Sequence, residues 1–173
     1  MAAPPSRAEF ALIVREHTPG VARALRRLGV GEREVAQAAQ EAFVALHRAL
    51  AAGEPRANLR ALAYRVAVQV ASDHRTRAYR RPRAEGRAPD PPGPAPAQVG
   101  RSERLARLDR ALERLSPVHR EVLVLVELEG LPWDEAAAAL GVSETTATSR
   151  LHAARAALRE AWGALSREAP RGG

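Results

Sequence analysis

Between residues 82 and 100 the chain carries six of its 13 prolines, with Gly86, Gly93 and Gly100 among them and almost no large apolar residue. Proline lacks the N–H that helices and sheet ladders require, so such a stretch reads as an extended linker rather than a packed element. It divides the 173 residues into units spanning 1–81 and 101–173. Units that small are marginal alone and must be compact bundles. The building material is 46% apolar but only 3% aromatic. A core made of Leu, Val and Ala suits packed helices, not a β-sandwich. The expectation is an all-α protein: two small helical bundles joined by a Pro-rich linker.

Periodicity supports this. Phe10, Val14, His17, Val21, Leu25 and Leu28 follow a helical spacing, with Thr18-Pro19 expected to kink or restart the helix. A second helix is predicted over about residues 32–51, with Val35, Ala39, Ala42, Phe43, Leu46 and Leu50 inward. A third covers about residues 58–80, with Leu59, Leu62, Ala63, Val66 and Val70 inward. Four helical stretches are expected in the second unit. Leu105, Leu108, Leu112 and Leu115 mark the first. Ser116-Pro117 opens the next, as an N-cap followed by proline at the first helical position. Its stripe is Val118, Val122, Leu125 and Val126, ending at Gly130. Residues 133–140 and about 144–167 form the remaining two, separated by Gly141-Val142-Ser143.

The net charge is +7 and unevenly placed. Residues 1–100 hold 16 Arg against nine acids, and residues 101–173 hold 11 of each. Residues 75–87 alone hold six Arg against Glu85. This cluster is either the footprint of a polyanion or a solvated basic helix end. No cysteine is present, so disulfides, thiolate metal sites and a cysteine nucleophile are excluded. The five histidines stand far apart and match no metal spacing, and no phosphate loop or nucleophile elbow occurs. Neither an enzyme nor a cofactor is expected. No apolar run is long enough to span a membrane, and the opening MAAPPSRAEF reads as no signal peptide. A cytoplasmic protein is expected.

Residues 131–158 form the most explicit pattern: a short helix, a Gly-containing turn and a longer helix, which is a helix-turn-helix. On the longer helix Ala147, Leu151, Ala154 and Leu158 share an inward face. Thr145, Thr148, Ser149 and His152 share the opposite one. Thr146 and Arg150 lie on one flank, Arg155 and Arg159 on the other. Small polar groups flanked by Arg suit a helix lying in a major groove, where the face reads base edges and the flanks hold phosphates. The competing reading is an αα-hairpin with a polar exposed face. In the first unit, Glu34, Gln37, Gln40, Glu41 and Val44 form an amide-rich face, either a partner surface or an ordinary solvated one. Asp73 falls near an apolar stripe, and a buried carboxylate there needs a partner such as Arg.

Four stretches together resemble the bacterial RNA polymerase sigma factors of the extracytoplasmic-function type. Residues 34–50 are similar to the region 2 helix, where Gln40, Glu41 and Phe43 match. Residues 58–77 resemble the promoter-contacting helix at Tyr64, Arg65, Ala67, Asp73 and Arg75. Residues 111–143 and 145–160 resemble region 4, among others at Leu115, Pro117, Arg120, Gly130, Gly141, Ser143, Ser149, Arg150 and Arg155. The family's usual Asp, Trp, Asn and Arg are replaced by Gln37, Leu62, Gln69 and Ala153.

The resemblance implies a non-enzymatic factor that binds core RNA polymerase at its clamp and flap and directs promoter-specific initiation. It implies polymerase contacts at Glu34, Gln37, Gln40, Glu41 and Val44. It implies −10 contacts at Arg65, Gln69, Arg75, Arg77, Arg80 and Arg81. The −35 contacts would come from Thr145, Thr146, Thr148, Ser149, Arg150, His152 and Arg155. Promoter DNA and an anti-sigma factor are the implied partners. Two alternatives are a sigma-like adaptor that does not initiate and a stand-alone helix-turn-helix regulator.

Overall fold

The computed structural model describes residues 4–85 and 103–168, so most of the Pro- and Gly-rich stretch lies outside the described residues. Among the described residues the chain forms seven α-helices and no strand, the all-α architecture the sequence predicts. α1 (Arg7–Arg27), α2 (Val35–Ala51) and α3 (Leu59–Glu85) form the first half. α4 (Glu103–Glu113), α5 (Pro117–Leu123), α6 (Trp133–Leu140) and α7 (Glu144–Glu168) form the second.

α1 opens on a capping box. Ser6 Oγ accepts from the Glu9 amide at 3.3 Å, and Glu9 accepts from the Ser6 amide at 2.7 Å. Of the kink or restart expected at Thr18-Pro19, the restart does not occur: the helix continues through Pro19. Proline forfeits one helical hydrogen bond. The local environment tolerates it: the Thr18 hydroxyl donates to the Val14 carbonyl at 2.6 Å, and Val21, Ala24 and Leu25, just beyond, are buried. Gly20 is required by packing, because a Cβ there would stand 2.8 Å from the Tyr64 hydroxyl of α3.

Each half has a core drawn from the predicted stripes. In the first, Leu25, Leu28, Phe43, Leu46, Leu62 and Val70 interlock α1, α2 and α3. In the second, Leu112, Leu115, Val122, Leu151 and Ala154 join α4, α5 and α7. Two stripe members, Leu105 and Val118, remain exposed. A single π-turn, Val124–Leu128, extends α5. Such a turn adds a residue per hydrogen-bonded loop and rotates the chain beyond it. Val124, Leu125, Leu131, Ala136 and Ala139 consequently bury their side chains in the first half's core, against α1 and α3. The two halves therefore share one apolar interface.

Candidate nucleic-acid interface

The helix-turn-helix is built by α6 and α7. Gly141 ends α6 in the left-handed region (φ 66°), and its amide and that of Val142 return to the Ala138 and Ala137 carbonyls at 3.1 Å. Ser143 then caps α7, accepting from the Thr146 amide at 3.2 Å. Ala147, Leu151 and Ala154 are buried, which fixes the rotation of α7. Thr145, Thr146, Thr148, Ser149 and His152 are exposed, and Arg150 is half-buried on the flank. Two of these hydroxyls have local partners: Thr148 donates to the Glu144 carbonyl at 2.8 Å, and Thr146 Oγ1 lies 2.8 Å from Ser143 Oγ. Thr148 thus offers a methyl group and acceptor lone pairs outward rather than a free proton.

Arg155 is engaged by Glu127 of the π-turn, with Nε 3.0 Å from Oε1. An exposed pair of this kind holds the guanidinium by about 0.2–1 kcal/mol. A phosphate that takes Arg155 must displace Glu127. Glu127→Gln is therefore expected to tighten binding to −35 duplex DNA about two- to fivefold by removing that competitor. Anisotropy titrations of the full chain would measure it, and an unchanged affinity would remove Arg155 from the phosphate contacts.

On α3, Arg65, Gln69 and Arg77 are exposed, while Arg75 points elsewhere. Arg65 pairs with Glu54 at 2.5 Å, and Gln69 donates to Asp73 at 3.1 Å. Arg75 donates to the Leu28 carbonyl at 2.9 Å and to Glu121 of α5 at 2.7 Å, so it sits between the halves. The side chains of Arg80 and Arg81 lie outside the described residues. Asp73, expected near the core, is exposed; its neighbour His74 is buried instead.

His74 ties α3 to the predicted polymerase face. Its Nε2 lies 3.1 Å from Glu41 and its Nδ1 3.8 Å from Glu34. Glu41 also accepts from Gln37 at 3.0 Å and from Arg77 at 3.1 Å. The Arg77 guanidinium, helped by Gln37 and His74, holds the Glu41 carboxyl below the usual carboxylate range. Gln37, Gln40 and Val44 are exposed along α2 and, with Glu41, Ala45 and Arg48, line a shallow groove. The sequence-predicted residues on α2 are thus brought together, and Glu41 has a structural role besides.

Sequence reading missed two buried polar groups at the seam between halves. Glu129 is clasped by Arg23, Arg27 and Tyr64. Arg120 holds the last carbonyls of α4. No helix among the described residues is long and apolar enough to cross a membrane, and no cluster of metal-ligating side chains occurs among them.

The fold and its capped, Arg-flanked α7 define a helix-turn-helix protein of two helical halves. The family model described as Sigma-70 region 2 matches residues 13–81, and that described as Sigma-70, region 4 matches residues 105–158. The RNA polymerase sigma factor CnrH of Cupriavidus metallidurans is 34% identical over 161 residues, covering 86% of this chain and 84% of that protein. The ECF RNA polymerase sigma factor SigE of Mycolicibacterium smegmatis is 32% identical over 154 residues, covering 86% and 59%. The solved structure of CnrH in complex with the cytosolic domain of CnrY superposes with a TM-score of 0.71 at 30% identity, covering 92% of this chain and 90% of that one. The chain belongs to the sigma-70 family: it is a sigma factor of the extracytoplasmic-function type, which directs promoter-specific transcription initiation.

Proposed function

We propose that this sigma factor works as two reading units, residues 1–81 and 101–173, joined by residues 82–100. The α2 face, at Glu34, Gln37, Gln40, Glu41 and Val44, docks on the clamp of core RNA polymerase, and the second unit contacts the flap. Arg65, Gln69, Arg75, Arg77, Arg80 and Arg81 serve the −10 element. Thr145, Thr146, Thr148, Ser149, Arg150, His152 and Arg155 serve the −35 element. The factor acts in the cytoplasm, binds promoter DNA and catalyses nothing itself; the chemistry belongs to the polymerase. By likeness to CnrH, solved with the cytosolic domain of CnrY, an anti-sigma protein holds it when idle.

The observation that carries this reading is α7, whose buried Ala147, Leu151 and Ala154 leave Thr145, Thr148, Ser149 and His152 on one exposed face. Reconstitution with core polymerase tests it. Promoter-specific transcripts with mapped start sites are expected, whereas polymerase binding without transcripts would mark an adaptor. For the docking face the choice of variant matters. Glu41 supports buried His74, so its loss would confuse folding with binding. Gln40 and Val44 are exposed. The pair Gln40→Ala with Val44→Ala should change stability by no more than about 0.5 kcal/mol per site. It should weaken core binding by roughly tenfold, about 1.4 kcal/mol. Intact binding by the folded double variant would return the face to ordinary solvent exposure.

A further inference from the structure

α3 carries an outward stripe that finishes on an aromatic ring. Arg65, Gln69, Ser72, Thr76 and Tyr79 follow one another at spacings of four, three, four and three residues. At 3.6 residues per turn these positions fall within roughly 80° of arc. Arg65, Gln69, Thr76 and Tyr79 are exposed and Ser72 is half-buried. Ala63, Ala67, Val70 and His74 turn the opposite side of the helix into the core. The stripe is about 21 Å long at 1.5 Å per residue, the length of about six stacked bases at 3.4 Å each.

The ring is unlike the other aromatic rings of the chain. Phe43 and Tyr64 are buried, and Phe10, Trp133 and Trp162 are partly buried against the cores. Among the described residues Tyr79 is the one aromatic side chain left in solvent, with 68% of the residue exposed. A single exposed apolar residue needs no explanation by itself. Its surroundings supply one. The other members of the stripe are all polar, so the ring extends no core. Thr76, one turn back, is small, and its hydroxyl donates to the Ser72 carbonyl at 3.0 Å, so it offers a methyl group outward. Arg77 is exposed on the flank, where it shares Glu41 at 3.1 Å. Arg80 and Arg81 follow directly in the sequence. Proteins hold single-stranded nucleic acid with cations for the phosphates and flat rings for the base faces. The end of α3 brings both to one place. A duplex approached from its side presents base edges, not faces, so the occupant that fits is a single strand.

We propose that Tyr79 is a base-stacking residue, which takes the face of one unpaired base in the opened −10 segment while Arg77 serves a flanking phosphate. This role rests on the reading of α3 as the −10 helix and adds to it a contact with open DNA alone. Tyrosine suits the task because it supplies a large rigid ring with only two torsions to freeze. Stacking accepts any base, so Tyr79 adds affinity for the open strand and no preference for a particular letter.

The probe is a single strand selected by the reconstituted holoenzyme from a random pool, then remade with 5-iodouracil at one position at a time. On irradiation iodouracil cross-links to an aromatic ring stacked on it. One position should cross-link to this chain, at Tyr79 by mass spectrometry. Tyr79→Ala and Tyr79→Leu should lose that product and weaken binding of the strand roughly tenfold, whereas Tyr79→Phe and Tyr79→Trp should keep both. Melting temperature and affinity for core polymerase should be unchanged in all four, because the side chain is exposed. A loss with Tyr79→Phe would assign the contact to the hydroxyl and overturn stacking. No cross-link at any position, or weakened core binding by Tyr79→Ala, would overturn it too, the second by making Tyr79 a polymerase contact. Arg65→Ala separates the two levels of the reading. If it weakens the strand and Tyr79→Ala does not, stacking alone fails. If neither weakens it, or no strand can be selected, the −10 reading fails and stacking with it.

Discussion

Arg120→Ala should destabilise the fold by about 2–6 kcal/mol, since two carbonyls at the end of α4 lose their donor at roughly 1–3 kcal/mol each. The residue is 9% exposed. Its Nε donates to the Leu112 carbonyl at 2.8 Å and its Nη2 to the Glu113 carbonyl at 2.7 Å, with Leu115 at 3.5 Å. These acceptors include the last carbonyls of α4, which no turn of the helix can satisfy. A cation there also meets the negative end of the helix dipole. Burial, with Arg75 nearby, pulls the Arg120 pKa below its ordinary value, yet an arginine stays charged through the working pH range. Truncation would leave the carbonyls without donors and a cavity beside Gly29. Arg120→Lys keeps the charge but replaces the fork with a single ammonium, so it should recover only part of the loss. Urea unfolding of the three proteins would measure this. A loss below about 1 kcal/mol for Arg120→Ala would show that water replaces the guanidinium at the end of α4.

The helices and the two cores were legible because their apolar positions recur at helical spacing and neither half offers another way to bury them. The Gly141–Ser143 turn was legible for a different reason: glycine and serine there fill backbone roles that few residues can. Pro19 does not restart the helix, because the Thr18 hydroxyl below it and the packing above it hold the turns on either side together. Asp73 and His74 show the limit of a helical wheel. They stand three and four residues after Val70, on either side of the stripe, and only packing decides that His74 turns in and Asp73 out. Glu129 was invisible, and Arg120 showed only as a matching residue without its role, because their partners belong to other elements. No periodicity in α5 or the π-turn announces that the carboxylate at the turn's end is complementary to Arg23 and Arg27, which lie 106 and 102 residues away. The seam between halves was hidden likewise, since the π-turn that aims Val124 and Leu125 at α1 and α3 leaves no mark in the apolar pattern. On α7 the polar face was legible, but the Arg155–Glu127 pairing was not.

Replacing Ser149 and His152 together should cost about 1–3 kcal/mol for each base-reading interaction removed and alter which −35 sequence is preferred. Both side chains are exposed on α7, one turn apart, and the buried Leu151 and Ala154 between and beyond them prevent the helix from rotating away. Ser149 has a hydroxyl able to donate or accept, and His152 an imidazole with one of each when neutral. Thr148, its hydroxyl turned back to Glu144, presents a methyl group suited to thymine. Arg150 and Arg155 are assigned to phosphates by their position on the flanks of the exposed face, although a guanidinium fork can also match a guanine edge. The two roles separate experimentally. Removing a base reader changes preference at particular positions, whereas removing a phosphate ligand weakens every sequence alike and lowers the salt slope by roughly one. Selection from a randomised −35 library, with the reconstituted holoenzyme, should give a changed consensus for Ser149→Ala with His152→Ala and the parental consensus for Arg150→Ala. The single variant His152→Ala is the sharper test, because an imidazole reaches less far than a guanidinium. An unchanged consensus with evenly reduced affinity would move His152 from base reading to the sugar–phosphate backbone and leave Ser149 with Thr148 as the readers of the groove.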